Sequence, residues 1–456
     1  MSTSQPKRAL RKKIKLSPTQ IIAVTFALII LVGALLLSLP VASRSGQSVG
    51  VRPALFTATS ATCVTGLILG DTWTMWSGFG QAVIITLIEI GGLGFMSMAS
   101  LVIFALRKKI GLKQRMVMAQ ALSVNEMESV VRLQKWVLLG SLIIQLTGAL
   151  ILFVRFLPHY GIKQAAIWGV FHAVSGFCNA GFDIVGNIAP GANMIVFNDD
   201  PVVLITLMAL ITVGGLGFFV WEEVATVRCF KKFSVYTKLV LIASSILLVG
   251  GAALILLLEW GNPETLGQMP VWQKVLNAFF QSATVRTAGF TSVDQAVLTE
   301  GGKAVSIVLM LIGGSSGSTA GGIKTVTFLV LVLFVLNRAR GRNTVTSFRR
   351  NVPQEKIMDA ATVVALMVGL ATAGAVFITA TCPVSFTDAL FETVSALATV
   401  GLTAGVTPLL TVPAQLMIIV FMYFGRVGIL TISLGFLMGD KAEQRFHYAD
   451  TNLLIG

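Results

Sequence analysis

Eight long apolar segments recur along the chain, and they limit its fold more than any other feature. They cover roughly residues 19–39, 79–106, 136–157, 202–224, 237–258, 304–336, 359–380 and 412–438. Each is long enough to cross a hydrocarbon layer of about 30 Å as a helix rising about 1.5 Å per residue. Charged residues make up only 12% of the chain, against roughly 25% in a typical soluble domain. The sequence therefore predicts an all-α integral membrane protein and excludes an ordinary soluble enzyme.

The basic residues orient these segments. Of the 34 Lys and Arg residues, 25 lie in five stretches: 7–15, 107–135, 228–238, 338–356 and 441–445. Cytoplasmic loops of membrane proteins carry such an excess. We therefore expect eight spans with both termini in the cytoplasm, a retained first helix rather than a cleaved signal peptide, and surrounding membrane lipid. The same rule explains the net charge of +14, and no nucleic-acid partner is expected.

A shorter apolar stretch lies between the two members of each pair of spans, at 53–62, 166–177, 271–285 and 386–397. These stretches are half the length of a span, which suits re-entrant helices, although short buried or interfacial helices remain the alternative. The units are four parallel repeats at 19–106, 136–224, 237–336 and 359–438, flanked by cytoplasmic ends at 1–18 and 439–456. All four repeats have one orientation, so inverted-repeat transporters do not fit.

The short stretches also resemble one another without gaps. Each has a Phe ten residues before a Gly (Phe56, Phe171, Phe279, Phe391) and a small residue six before it (Ser60, Ser175, Ala283, Ser395). A short helix followed by an extended strand would give rings of carbonyls that replace the water around a cation. Glycine allows the backbone angles that this requires. The alternative is that these glycines are close-packing sites between helices.

The predicted cation filter consists of four residues from each repeat. They are Val64, Thr65, Gly66 and Leu67; Asn179, Ala180, Gly181 and Phe182; Thr287, Ala288, Gly289 and Phe290; and Thr399, Val400, Gly401 and Leu402.

A second set of residues is predicted to form a gate. Ten consecutive small residues interrupt the second span of the third repeat, and Lys324 follows near the cytoplasmic mouth; the ten are Gly313, Gly314, Ser315, Ser316, Gly317, Ser318, Thr319, Ala320, Gly321 and Gly322. Such a run is a poor helix and is expected to be a loop held by few contacts, a kinked helix being the alternative. It does not match a phosphate-binding GxxxxGK[ST] loop, because Lys324 comes one position too late.

Arg426 lies in the last span, at the position that corresponds to Gly92 in the first repeat. A charge inside a span costs about 2.5–3.5 kcal/mol on insertion scales. We interpret it as a positive barrier to cations, the alternative being a buried ion pair with Glu89. Arg286 is expected behind the filter, paired with Glu392 or Asp183. Two acidic residues after the filter glycines, Asp71 and Asp294, either attract cations or are solvated loop charges.

The four glycine motifs and the interrupted span resemble those of the Trk/Ktr/HKT superfamily of potassium transporters. The resemblance extends over nearly the whole chain and is strongest to the membrane subunit of bacterial Ktr systems. The resemblance implies four helix–pore-loop–helix repeats around a single pseudo-fourfold pore. It also implies conduction of K⁺, with Na⁺ as an ion that the filter can also bind or that transport depends on. The implied gate consists of the loop at 313–322 and Arg426 below the filter, and no enzymatic activity is implied. In plant relatives a Ser at the first filter position accompanies sodium selectivity, so Gly66 favours potassium.

The resemblance further implies a homodimer in the bacterial plasma membrane and a cytoplasmic ring of KtrA-like nucleotide-binding regulatory subunits. The basic linkers and residues 440–456 are the expected docking surface. Two other functions stay open: a sodium-selective or poorly selective pore of the same fold, and a coupled symporter. A symporter needs intramembrane carboxylates, for which only Glu89 and Glu392 are candidates.

Overall fold

The computed structural model describes residues 18–94, 130–342, 344–348 and 350–428, and nearly all of its regular structure is helical. The helices are α1 (Pro18–Leu37), α2 (Val51–Thr62), α3 (Thr72–Met75), α4 (Gly78–Leu93), α5 (Val130–Cys178), α6 (Pro201–Leu216), α7 (Phe218–Val227), α8 (Val235–Glu259), α9 (Val271–Thr284), α10 (Glu300–Leu311), α11 (Thr325–Ala339), α12 (Gln354–Thr381), α13 (Phe386–Leu397) and α14 (Val412–Val427). A two-stranded antiparallel hairpin, β1 (Thr346–Ser347) and β2 (Arg350–Asn351), precedes α12. The all-α prediction therefore omits one small element.

The same order of elements occurs four times: a long helix, a short helix, an extended segment and a second helix. In the second case the long and short helices are joined as α5, which turns sharply at Gly161 (φ 73°). The four predicted short helices thus correspond to α2, the end of α5, α9 and α13. Side-chain caps start three of the second helices, where Ser77, Asp200 and Thr299 accept hydrogen bonds from backbone amides.

The lengths of the second helices depart from the prediction. The apolar segment 202–224 is not one straight helix, because α6 and α7 meet at Gly217 (φ 95°) with a bend of 96°. The interruption predicted in 304–336 is present between α10 and α11. Helices α4 and α14 end at Leu93 and Val427. The remainders of their predicted spans, 95–106 and 429–438, lie outside the described residues, as do 1–17, 107–129 and 439–456.

Within the described residues, four helices are long and apolar enough to cross a membrane, or five if α6 and α7 count as one bent span. These long helices expose apolar side chains, for example Leu35 (69% exposed) and Leu257 (75%). The short helices are instead buried along their C-terminal parts, where small residues let backbones approach closely. The extended segments that follow the short helices are therefore the innermost part of the molecule.

Candidate ion pathway

The four predicted filter segments (64–67, 179–182, 287–290 and 399–402) have the same backbone conformation. In each, the residue two positions before the glycine has φ between 53° and 74°, and the glycine has φ between 69° and 97°; the pairs are Val64 and Gly66, Asn179 and Gly181, Thr287 and Gly289, and Thr399 and Gly401. A left-handed conformation is unusual for a β-branched residue, and such strain is typical of functional sites. The residue between each pair does not have a positive φ, so positive and negative φ angles alternate along each segment.

The four glycines face one another around a common centre. A Cβ on Gly181 would lie 2.8 Å from the carbonyl oxygen of Ala288 and 2.8 Å from the Cα of Gly289. Every glycine meets the carbonyl of the residue before the next one: Ala180 for Gly66, Ala288 for Gly181, Val400 for Gly289 and Thr65 for Gly401. The filter segment of each repeat therefore contacts that of the next repeat, and the fourth contacts the first, so the segments form a closed ring. No side chain fits at the glycine position of this ring.

Hydroxyl groups at the ends of the short helices hold the filter segments. Ser60 Oγ accepts a hydrogen bond from the amide of Gly66 (3.0 Å), and Ser395 Oγ accepts one from Gly401 (3.1 Å). In the other two segments the hydroxyl donates, from Ser175 to the Phe182 carbonyl and from Thr284 to the Phe290 carbonyl, both at 2.7 Å. The small residue six positions before the glycine is therefore a brace in three repeats.

The third repeat departs from the gapless alignment by one residue. Its hydroxyl brace is Thr284, five positions before the glycine, and its fully buried Phe is Phe280, nine before, whereas Phe279 is only half-buried and Ala283 has no hydroxyl. The backbone hydrogen bonds show the same shift. The amide of Ala288 donates to the carbonyl four residues earlier, whereas the corresponding amide in each of the other three repeats donates to the carbonyl five residues earlier. The predicted Phe279 and Ala283 register is wrong for this repeat, since its short helix ends one residue earlier.

Three buried polar side chains on the short helices secure the chain after the filter. Glu392 accepts hydrogen bonds from the hydroxyls of Thr403 (2.7 Å) and Thr407. Gln281 pairs with Gln295, and His172 Nε2 lies 3.4 Å from the amide of Ile184. Sequence reasoning missed His172 and Gln281; their signal was a polar residue next to the buried Phe of each short helix.

Among the residues that the structure describes, Arg286 has no carboxylate partner. Its guanidinium lies 3.4 Å from the Ser244 carbonyl and 3.5 Å from the Ser244 hydroxyl. Glu392 is engaged as above, and Asp183 accepts from the amide of Val185 (3.1 Å). The predicted ion pair is wrong, because Arg286 extends toward α8, whereas Glu392 on α13 and Asp183 after the second filter segment bond to the chain that follows the filter.

The longer outer loop of the second repeat reaches the filter through Asn193. Its amide nitrogen lies 3.4 Å from the carbonyl oxygen of Gly181, and its Oδ1 lies 3.4 Å from the amide of Thr291 in the next repeat. Asp71 bonds to the same loop, accepting from the amide of Gly191 (3.1 Å), while Asp294 is exposed. Asn193 was not identified from the sequence, where the only signal was the greater length of this loop.

The glycine-rich loop (313–322) lies against the N-terminal ends of the second and fourth filter segments. Thr319 Oγ1 donates to the carbonyl of Phe177 (3.1 Å), at the end of the second short helix. A Cβ on Gly321 would overlap the Thr399 hydroxyl and would lie 2.8 Å from the Ala398 carbonyl oxygen. The loop therefore extends beneath the second and fourth filter segments.

Arg426 joins this loop to the first repeat. Its guanidinium donates to the carbonyl of Thr319 and to the carbonyls of Gly91 and Gly92, the last at 2.9 Å. The alternative ion pair with Glu89 is not observed, because Glu89 accepts from Gln145 (3.0 Å) and from the Cys178 thiol (3.3 Å). The Arg426 guanidinium thus lies next to the glycine-rich loop and the end of α4, and its hydrogen-bond partners within the described residues are carbonyl oxygens.

The loop is held by more contacts than its composition suggested. Its backbone bonds to residues of α6 and α7, Lys324 Nζ donates to the Ala320 carbonyl (2.8 Å), and Ser315 and Thr325 share a hydroxyl hydrogen bond (2.8 Å). The expectation of a loosely held segment is wrong in this respect. Residues with little side-chain volume allow the backbone itself to make the contacts.

A family model described as TrkH, cation transport protein, matches residues 6–446 of the chain. The chain belongs to the TrkH cation transport family. It is 40% identical to the Ktr system potassium uptake protein B of Bacillus subtilis over 98% of both chains. It is 39% identical to the potassium/sodium uptake protein NtpJ of Enterococcus hirae over 99% of both.

The fold of the TrkH family is also found among solved structures. The crystal structure of the potassium transporter TrkH from Vibrio parahaemolyticus matches with a TM-score of 0.71 at 17% identity, covering 94% of this chain and 86% of that one. The family model and the curated relatives confirm the expected superfamily, and the structural match confirms a helical membrane fold. Membership of the TrkH family makes the chain a transporter and not an enzyme.

Proposed function

We propose that the chain is the ion-translocating subunit of a bacterial potassium uptake system. K⁺ would pass through carbonyl rings formed by the four filter segments of a pseudo-fourfold pore with eight spans and four re-entrant helices. The observation that carries this proposal is the closed ring of four glycines with one shared backbone conformation. The printed names of the relatives, which are potassium or potassium/sodium uptake proteins, agree with it.

The chemistry of the filter segments favours a monovalent cation. Rings of backbone carbonyls replace the hydration shell of such an ion without a fixed negative charge. The buried hydroxyls of Thr65, Thr287 and Thr399 have no hydrogen-bond partner within the described residues. Buried polar groups are nearly always satisfied, and a passing cation would satisfy these oxygens.

A pore that admits Na⁺ as readily as K⁺ is the second candidate, because one relative is named a potassium/sodium uptake protein. A coupled symporter has less support, since both candidate carboxylates, Glu89 and Glu392, accept hydrogen bonds from neighbouring side chains. Competition between the two ions separates the first two candidates. In proteoliposomes, Rb⁺ uptake blocked by K⁺ and not by equal Na⁺ supports the potassium pore, and equal block by both ions supports the alternative.

The glycine-rich loop and Arg426 would form the gate. The loop closes the inner side of the filter, and Arg426 places a positive charge there while it holds the loop carbonyl of Thr319. A cation approaching this point meets that charge in surroundings of low dielectric constant, where repulsion is strong. Opening would need the loop to move away from the axis.

Deletion of Ser315–Ala320 tests the gate. The deletion removes no filter residue, so it should raise K⁺ flux in proteoliposomes, keep most of the selectivity and reduce any dependence on a regulatory subunit. Gel filtration checks the fold. Lower flux from a well-folded deletion would reject the gate and favour a structural role.

The regulatory partner would be a cytoplasmic ring of nucleotide-binding subunits acting on a homodimer of this chain in the bacterial plasma membrane, with both termini cytoplasmic. The word "system" in the name of the relative from Bacillus subtilis agrees with several subunits. The exposed basic linkers between α7 and α8 and between α11 and α12 would be the docking surface. Their positive charge also fits a cytoplasmic location.

A further inference from the structure

The glycine-rich loop is fastened to the break between α6 and α7. The amide of Ser315 donates to the Gly215 carbonyl (3.0 Å), the amide of Thr319 donates to the Gly214 carbonyl (3.3 Å), and the amide of Phe218 donates to the Gly317 carbonyl (2.8 Å). The last carbonyls and first amides of helices have no partner within the helix. The loop supplies partners for both helix ends, so the bend of 96° and the folded loop stabilise each other.

Glycine makes this close approach possible. A Cβ on Gly217 would lie 2.8 Å from the Ser316 carbonyl oxygen, and a Cβ on Gly314 would lie 3.0 Å from the Gly215 carbonyl oxygen. Real side chains do not tolerate a backbone oxygen at the shorter distance. The two interrupted helices of the second and third repeats therefore pack backbone to backbone at this point.

One side chain adds to this contact from the start of α8. The hydroxyl of Tyr236 donates to the carbonyl of Ser316 at 3.0 Å. Tyr236 is held next to α7 because Glu223 of α7 accepts hydrogen bonds from the hydroxyl of Ser234 (2.7 Å), from its amide and from the hydroxyl of Thr237. The end of α7 and the start of α8 thus form one unit with the loop on one side.

The opposite end of this unit is exposed. The linker between α7 and α8 carries Arg228, Lys231 and Lys232, all exposed, together with the exposed ring of Phe230. A force applied to the linker would act on the Glu223 contacts and on Tyr236. Such a force would therefore change the position of Ser316 in the loop.

We infer that the α7–α8 hairpin is a latch for the loop and that Tyr236 is its positioning residue. This inference rests on the proposed function, in which the loop is the gate. The closed state would be held by Arg426 from the fourth repeat and, independently, by the hairpin from the second and third. A partner that displaces the linker would release the second of these attachments. A regulator can only shift the gate by its differential affinity for the two states, and a latch of a few hydrogen bonds matches that scale.

The test is Tyr236→Phe, with Tyr423→Phe as its matched control. Both tyrosines are half-buried and donate one hydrogen bond to a backbone carbonyl, but Tyr423 bonds to Ala23 of α1 (2.7 Å) and does not reach the loop. A typical hydrogen bond contributes enough to shift an equilibrium roughly two- to tenfold. We expect Tyr236→Phe to raise K⁺ flux in proteoliposomes by about that factor, with an unchanged K⁺-to-Na⁺ ratio, and Tyr423→Phe to leave flux unchanged.

A second variant and a combined variant make the result decisive. Glu223→Gln weakens the α7–α8 contact without touching the loop and should also raise flux. In a protein that lacks Ser315–Ala320, Tyr236→Phe should add nothing, because the latch then has no loop to hold. Equal flux from Tyr236→Phe and Tyr423→Phe, or misfolding of Tyr236→Phe alone, would overturn the latch. If the deletion itself does not raise flux, the gate fails and not merely the latch.

Discussion

The four filter segments are far more alike than the four helix ends that lie on their inner side. The segments share one pattern of φ angles and one ring of contacts. The helix ends differ: α4 and α14 stop at glycines, α6 bends into α7, and α10 gives way to the glycine-rich loop. Coordination of an ion on an axis needs equivalent carbonyls, whereas a gate needs only one element that can cross the axis. One repeated unit can therefore keep its symmetry at the filter and lose it at the gate.

A side chain introduced at one of the four filter glycines should disturb the symmetry of the filter more than any other change. Gly401→Ser places a Cβ against the Thr65 carbonyl at φ 92°, where a residue other than glycine loses about 1–2 kcal/mol before any steric overlap. We expect K⁺ uptake or the K⁺-to-Na⁺ ratio to fall by roughly tenfold or more, since 1.4 kcal/mol corresponds to tenfold. Gly369→Ser in α12, where a Cβ meets nothing within 4 Å, is the control. If Gly401→Ser leaves both K⁺ uptake and the K⁺-to-Na⁺ ratio unchanged, this glycine is not part of the filter.

The asymmetric side is tested by Arg426→Ala. The change removes the guanidinium donors to Thr319, Gly91 and Gly92, and hydrogen bonds to charged groups contribute about 1.5–3 kcal/mol each. We expect flux to rise several-fold without loss of selectivity. Arg155→Ala, which removes a partly exposed ion pair with Asp200, should have little effect. Folded Arg426→Ala protein with normal flux would show that the loop closes without this residue.

The shifted register of the third repeat sharpens the comparison within the filter. Ser395→Ala and Thr284→Val each remove the hydroxyl that holds a filter segment, at a cost of about 1 kcal/mol, so each should lower the K⁺-to-Na⁺ ratio several-fold. Thr372→Val, which removes an exposed hydroxyl bonded within α12, is the control. If Thr284→Val has no effect while Ser395→Ala does, the third segment is held differently from the others.

The smallest expected effect concerns the outer loop of the second repeat. Asn193→Ala removes two long contacts, to Gly181 and to Thr291, so we expect a change in ion preference of only about twofold. Asn187→Ala, at an exposed position of the same loop, is the matched variant. Indistinguishable ion competition curves for the two variants would exclude Asn193 as a link between the filter segments.

The short helices and the glycine ring could be predicted because they depend on local signals. Half-span length, a buried Phe and a glycine that must have positive φ are visible in the residues themselves. The position of the interrupted span at 313–322 was equally clear from its composition. These features recur in four places, so chance similarity was a poor explanation.

The polar contacts could not be predicted, because they depend on which repeats are neighbours. For Arg286 the sequence favours a carboxylate partner, and for Arg426 such a pair is the alternative to a positive barrier, because buried charges are usually paired. Arg426 instead meets carbonyl oxygens freed by interrupted helices, and Arg286 meets Ser244. The bend at Gly217 was missed because the residues around it are as apolar as those of a continuous helix.

A crystal structure of the protein with Rb⁺ in place of K⁺ would test directly whether the ring of four glycines binds the ion. Rb⁺ resembles K⁺ in size, and its anomalous scattering identifies it without reference to the protein. Peaks on the axis between the carbonyl oxygens of Thr65, Ala180, Ala288 and Val400, with the glycine-rich loop on the inner side, would agree with the account. Rb⁺ bound elsewhere, for example at Glu89, with no peak inside the ring of glycines, would contradict it.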